Sequence, residues 1–246
     1  MSGHSKWSTI KRKKEATDQK RGKIFTKLIK EIMVAAKSGG SDEEANPRLR
    51  QAVISAKAAN MPMDNIKRAI QKGTGELPGQ SFEEATYEGY GPGGVAIMMD
   101  VLTDNKNRTV AEIRHLITKH GGNLGENGSV AWMFDRKGMI TIPKGDLDED
   151  EVFEAALDAG AEDFSSEEAE DFIITTAPTE LMAVSDALTA KGYTVGSSQL
   201  DMLPKNLQKI EGEMAGKVMT LMESLEDHDD IQNVFANFDI DEELLN

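Results

Sequence analysis

Residues 139–160 read MITIPKGDLDEDEVFEAALDAG. A β-branched run, MITIP, predicts a strand. The acidic segment 148–160 then predicts a helix with Val152, Phe153, Ala156 and Leu157 inward and Gly160 at its end. The pattern continues with AEDFSSEEAEDFIITTA (161–177), two strands about a polar turn. TELMAVSDALTAKG (179–192) predicts a helix with Leu181, Val184, Ala187 and Leu188 inward, and YTVGSSQLDMLP (193–204) a last strand. The order β-α-β-β-α-β is that of a ferredoxin-like unit.

The flanks predict a second α/β unit. YEGYGPGGVAIMMDVLTD (87–104) reads as a glycine turn between extended segments, with a strongly apolar strand at 95–102. RTVAEIRHLITKHGG (108–122) reads as a helix with Val110, Ile113 and Ile117 inward, and GSVAWMF (128–134) as a strand. The remaining helix (213–226, with Met214, Val218, Leu221, Met222 and Leu225) and strand (NVFANF, 233–238) come only after residue 204. Residues 137–204 are therefore expected to be inserted into a domain made of 79–136 plus 205–246. The alternative is two sequential domains with the C-terminal helix docked elsewhere.

Residues 1–78 predict a separate helical domain. Between Lys20 and Lys37 the apolar positions Ile24, Phe25, Leu28, Ile29, Ile32, Met33 and Ala36 share one face, opposite Lys20, Lys23, Lys27, Lys30 and Lys37. Gly39-Gly40 ends that helix. Asn46-Pro47 starts another, with Leu49, Ala52, Val53 and Ala56 inward, and a third spans Asp64–Lys72 before Gly73 closes it. The fold class is thus α+β: a three-helix N-terminal domain, then two α/β domains of ferredoxin-like character, the third inserted in the second.

Charge divides along the same line. The chain carries −15 in all, yet residues 1–75 hold 17 basic and 7 acidic residues, giving +10 against −25 for the remainder. Such asymmetry joins a basic binding module to an acidic body. Lys and Arg neutralise phosphates and release condensed counterions, which gives affinity without sequence information. The candidate nucleic-acid contacts are Lys6, Lys11, Arg12, Lys13, Lys14, Lys20, Arg21, Lys23 and Lys27. Trp7 is placed to stack on a base or to pack on the first helix.

Other chemistries find little support. With no Cys, thiolate metal sites and thiol catalysis are excluded. No run of 18 apolar residues occurs and the basic N-terminus lacks an uninterrupted apolar core, so a cytoplasmic protein without a membrane span is expected. GYGPGG matches G-x-G-x-x-G at Gly89, Gly91 and Gly94, but a strand follows where a dinucleotide site needs a helix. DLDED (146–150) lacks the glycine and terminal glutamate of a calcium loop. The histidines show no metal-ligand spacing. No catalytic constellation, metal, cofactor or small-molecule substrate is indicated. The segment TDNKNRT (103–109) opens a helix with Asn107 as the expected cap, and Lys106, Asn107 and Arg108 form a candidate anion site.

The segments GHSKW (3–7), KRGKIFTKLIKEI (20–32), NPRLRQA (46–52), NMPMDNIKRAIQKGTGE (60–76), YEGYGPGG (87–94), TDNKNRTVAEIRH (103–115) and GGNLGENGSVAWMF (121–134) resemble, in order, the YebC/PmpR family. The resemblance implies three domains, the third inserted in the second, and cytoplasmic, non-enzymatic proteins of gene expression. Bacterial members are described as DNA-binding transcriptional regulators, and others, mitochondrial ones included, as ribosome-associated translation factors. A DNA-binding transcriptional regulator is the expectation. A translation factor binding rRNA or tRNA on the ribosome is the alternative, and a protein–protein adaptor with acidic surfaces is an alternative of another class. The sequence holds no recognisable helix-turn-helix, RNP or zinc motif that would choose between DNA and RNA.

Overall fold

The computed structural model describes residues 18–240 except 169, with side chains from residue 22 onward. Three helices come first: α1 (Asp18–Gly39), α2 (Pro47–Ala58) and α3 (Met63–Thr74). Asn46 caps α2 by accepting the Leu49 N–H at 3.1 Å, and Pro47 occupies the first turn, where no amide donor is needed. Ile32, Ala36, Leu49, Val53, Ala56 and Ile66 close one core between the three helices.

α3 does not stop at Gly73. It runs to Thr74 and is capped by Gly75 at φ +84°. Gly73 serves close approach instead: a Cβ there would collide with the Met33 carbonyl oxygen and lie 2.8 Å from the Ala36 Cβ. The glycine that ends the helix is the one with left-handed backbone, where a Cβ is costly.

Next come β1 (Glu83–Tyr90), β2 (Ala96–Thr103), α4 (Lys106–Lys119) and the short β3 (Asn123–Leu124). The chain then leaves through β4 (Phe134–Pro143), α5 (Glu149–Ala159), β5 (Asp163–Ser165), β6 (Asp171–Thr176), α6 (Leu181–Ala190) and β7 (Ser197–Pro204). It returns through β8 (Gln208–Lys209), α7 (Gly212–Glu226), β9 (Ile231–Ala236) and β10 (Phe238–Asp239). The first sheet has the order β3-β1-β2-β9, so a strand from beyond residue 230 completes a sheet begun at residue 83. Ile113 and Ile117 of α4 and Val218, Leu221 and Leu225 of α7 join its apolar side chains in one cluster. Residues Phe134–Lys205 form a compact unit of their own. Its sheet, β5-β6-β4-β7, is antiparallel throughout and has the ferredoxin-like strand order.

In two further segments the structure departs from the sequence expectation. On α5 the buried stripe is Val152, Ala155 and Ala156, while Phe153 and Leu157 are 40% and 48% exposed. At 3.6 residues per turn these two larger side chains lie to one side of the stripe that faces the sheet. The segment 128–134 is not a strand; Ala131–Met133 form a 3₁₀ turn and β4 begins only at Phe134. The reason is Glu88. Its buried carboxylate accepts the backbone N–H groups of Gly128 (2.7 Å), Val130 (2.7 Å) and Ala131 (2.8 Å), which are thereby withdrawn from any strand pairing. Burial alone would raise the Glu88 pKa, but these three bonds outweigh it and hold the carboxyl below its ordinary value.

Candidate nucleic-acid interface

Lys6, Trp7, Lys11, Arg12, Lys13 and Lys14 lie outside the described residues. Lys20 and Arg21 fall in the first turns of α1. Lys23 and Lys27, expected on a phosphate-facing surface, meet internal acceptors. Lys23 Nζ donates to the Asp227 carbonyl at 3.0 Å, Lys27 Nζ to the Glu226 carbonyl at 2.7 Å, and Lys30 Nζ to the Asp229 carbonyl at 2.9 Å. The same ammonium groups lie 3.5, 3.5 and 2.7 Å from carboxylates of Asp227, Glu226 and Asp230.

The physical cause is the end of α7. Its last carbonyls have no partners within the helix and carry the negative end of the helix dipole. Acidic side chains at 226, 227, 229 and 230 add to that charge. Lysines at positions 23, 27 and 30 recur at helical spacing, so one face of α1 serves the whole turn. The stripe is thus in large part a docking surface between the helical domain and the acidic body.

Asp230 is the hub. It is 4% exposed and precedes β9, where its carbonyl accepts the Leu102 N–H at 2.9 Å and so extends the β2–β9 pairing. Lys30 donates to Oδ1 at 2.7 Å; Arg108 at 2.6 Å, Thr109 at 2.7 Å and Thr103 at 3.2 Å donate to Oδ2. Burial would raise the Asp230 pKa, but the bonds from Lys30, Thr109 and Arg108 prevail and push it well below the usual carboxylate range.

The candidate anion site at Lys106, Asn107 and Arg108 is therefore satisfied from within. Arg108 pairs with Asp230 and, at 3.1 Å, with Asp104; Lys106 pairs with Glu83 at 2.8 Å. The cap of α4 is Asn105 rather than Asn107. Asn105 has the extended backbone a cap needs (φ −150°, ψ 90°) and accepts the Arg108 N–H at 3.1 Å, whereas Asn107 lies inside the helix.

Glu112, His228 and Asp230 bring ligand-type atoms within 4.8 Å of one another. Their bonding disfavours a cation. His228 Nδ1 accepts the Asp230 N–H at 3.1 Å, which requires the Nε2–H tautomer that meets Glu112 at 3.1 Å. Both Asp230 oxygens already face a cationic side chain. An open cleft of ≈ 860 Å³ borders the hub and is walled by both signs of charge, among them Lys23, Arg108, Glu112 and Asp229.

Four further basic side chains stand apart. Lys57 at the end of α2 and Lys67, Arg68 and Lys72 on α3 are exposed and make no hydrogen bond or ion pair among the described residues. In the sequence they stand singly or in pairs and are overshadowed by the denser tract at 11–14. Their signal was the polar arc of α3, which holds a single acid, Asp64.

Residues 5–76 match the model of the TACO1/YebC N-terminal domain, and residues 82–238 that of the TACO1/YebC second and third domains. The chain belongs to the TACO1/YebC family. Relatives cover the whole of it. A "Probable transcriptional regulatory protein DP2908" of Desulfotalea psychrophila is 59% identical over 246 residues, covering 100% of this chain and 98% of its own. A "Probable transcriptional regulatory protein" of Geotalea uraniireducens is 58% identical over 245 residues, with the same coverage of 100% and 98%. Among solved structures, the conserved hypothetical protein Aq1575 of Aquifex aeolicus superposes with a TM-score of 0.86 at 50% identity, over 93% of this chain and 94% of its own. Family membership agrees with the resemblance seen in the sequence motifs, and among the described residues no helix is long and apolar enough to cross a membrane.

Proposed function

We propose that this chain is a non-enzymatic, cytoplasmic regulator of transcription that binds DNA through its basic N-terminal domain, residues 1–78. In this reading Lys6, Lys11, Arg12, Lys13, Lys14, Lys20 and Arg21 contact the phosphate backbone and Trp7 stacks or packs beside them, while Lys23 and Lys27 join Lys30 in docking the domain to the acidic body. The observation that carries the reading is the charge division, +10 over residues 1–75 and −25 over the rest. The names of the relatives support it. An acidic body repels polyanions and so directs them to the basic end.

A second reading, a translation factor on the ribosome, is favoured by one observation. The chain has a large electrostatic grip but no cysteine for a zinc module and no recognised motif for reading bases. Crosslinking in cells, followed by sequencing of the recovered nucleic acid, separates the two. Discrete promoter DNA supports the transcription reading; ribosomal RNA in its place refutes it.

A further inference from the structure

Resting on the nucleic-acid reading above, we infer that the outer face of α3, extended by the end of α2, is a phosphodiester-binding surface, and that Lys23, Lys27 and Lys30 of α1 are not. Within the N-terminal domain the described cations divide into those bonded from within the chain and those that are not; Lys37, of the first kind, donates to Ser81 Oγ at 2.7 Å. Lys23, Lys27 and Lys30 hold the end of α7. Arg48 pairs with Glu31 and Glu84, and Arg50 with Glu44 at 3.6 Å. Lys57, Lys67, Arg68 and Lys72 have no such partner among the described residues and are exposed. A cation already held by an internal carboxylate gains little from a phosphate, because one favourable contact is broken to make the other. An unpaired, solvated cation releases counterions from the polymer at no such cost.

Geometry points the same way. At 3.6 residues per turn, Lys67, Arg68, Gln71 and Lys72 fall within about 140° of the circumference of α3. Ile66 and Ala69, on the other side, are buried in the core. Lys67 and Lys72 are separated by a rise of about 7.5 Å, comparable to two phosphate steps of about 3.4 Å along one strand. The helix is anchored through that buried side, and Gly73 brings it directly against Met33 of α1, so the cationic face is held on a packed element. The short turn 59–62 places Lys57 just before the same helix.

The test uses the full-length chain, a short DNA duplex and an RNA hairpin, each titrated over a range of salt. The triple variant Lys67→Gln/Arg68→Gln/Lys72→Gln is compared with the control Lys23→Gln/Lys27→Gln. The triple variant should bind at least about tenfold more weakly at moderate salt, and its slope on duplex DNA should be shallower by about 2 to 3. The control should shift affinity by less than about twofold. Loss on either polymer supports the surface and shows which one it fits. If the triple variant melts below the wild type, the single reversal Lys67→Glu carries the test, with weaker binding and a slope shallower by about 1. Unchanged affinity and slope in the α3 variants, with the wild type binding, overturn this surface and leave nucleic-acid binding standing. Failure of the wild type to bind either polymer overturns both.

Discussion

The Lys30 ammonium lies 2.7 Å from the Asp230 carboxylate, a pair 200 positions apart in sequence and almost wholly shielded from water. It ties the basic helical domain to the acidic one. Breaking a buried pair by removing one partner is costly because the other charge remains in place. Lys30→Met should destabilise by about 3 kcal/mol, the lower part of the usual range because Arg108 still faces Asp230. Calorimetry should show a melting temperature lower by about 6–12 °C. A shift under about 2 °C would mean that the pair is dispensable for docking.

The acid limb of stability should carry the mark of Asp230. Its folded pKa is depressed, so its contribution is fully present above the ordinary value of 3.8 and disappears as pH falls through the lower, folded value. Denaturant unfolding at a series of pH values should show Asp230→Asn least stable relative to wild type above about pH 5, with the gap narrowing as the solution is acidified. A gap that widens in acid would reverse the assignment.

Glu88 organises the loop before β4. Glu88→Gln replaces one acceptor oxygen by a donor that faces backbone N–H groups, and should cost about 3 kcal/mol. Hydrogen exchange gives the local readout. The amides of Gly128, Val130 and Ala131 should lose protection far more than those of β2. Uniform loss across the sheet would show a global effect instead.

Gly73→Ala sets helix propensity against packing. Alanine should favour an exposed helix by about 1 kcal/mol, but here its Cβ meets Met33 and Ala36, so a net loss of about 1–3 kcal/mol is expected. Gly75→Ala should cost about 1 kcal/mol for its left-handed backbone alone. Urea midpoints of the two variants check the order.

Most of the fold was legible because its signals are local. Period-two and period-3.6 patterns located the inserted βαββαβ unit, and Asn46-Pro47 announced α2. The errors arose where a distant group decided the outcome. GSVAWMF has a strand-like composition, yet a carboxylate forty positions upstream takes its amides. Asn107 and Asn105 are alike in composition, and only the backbone geometry at the helix start distinguishes them. The lysine stripe at 23, 27 and 30 looked like a phosphate grip because its acidic partners lie some 200 residues away. Composition counts charges; it does not show which are already paired.

Phosphate contacts by basic side chains of the N-terminal domain should dominate binding. With about five or six contacts divided between the tract before residue 22 and α3, log K for a DNA duplex against log salt should have a slope of roughly −5, with scrambled duplexes binding about equally. Titration of the full-length protein measures this directly. A slope near −1, or strong preference for one duplex over its scrambled forms, would contradict a grip built on the backbone alone.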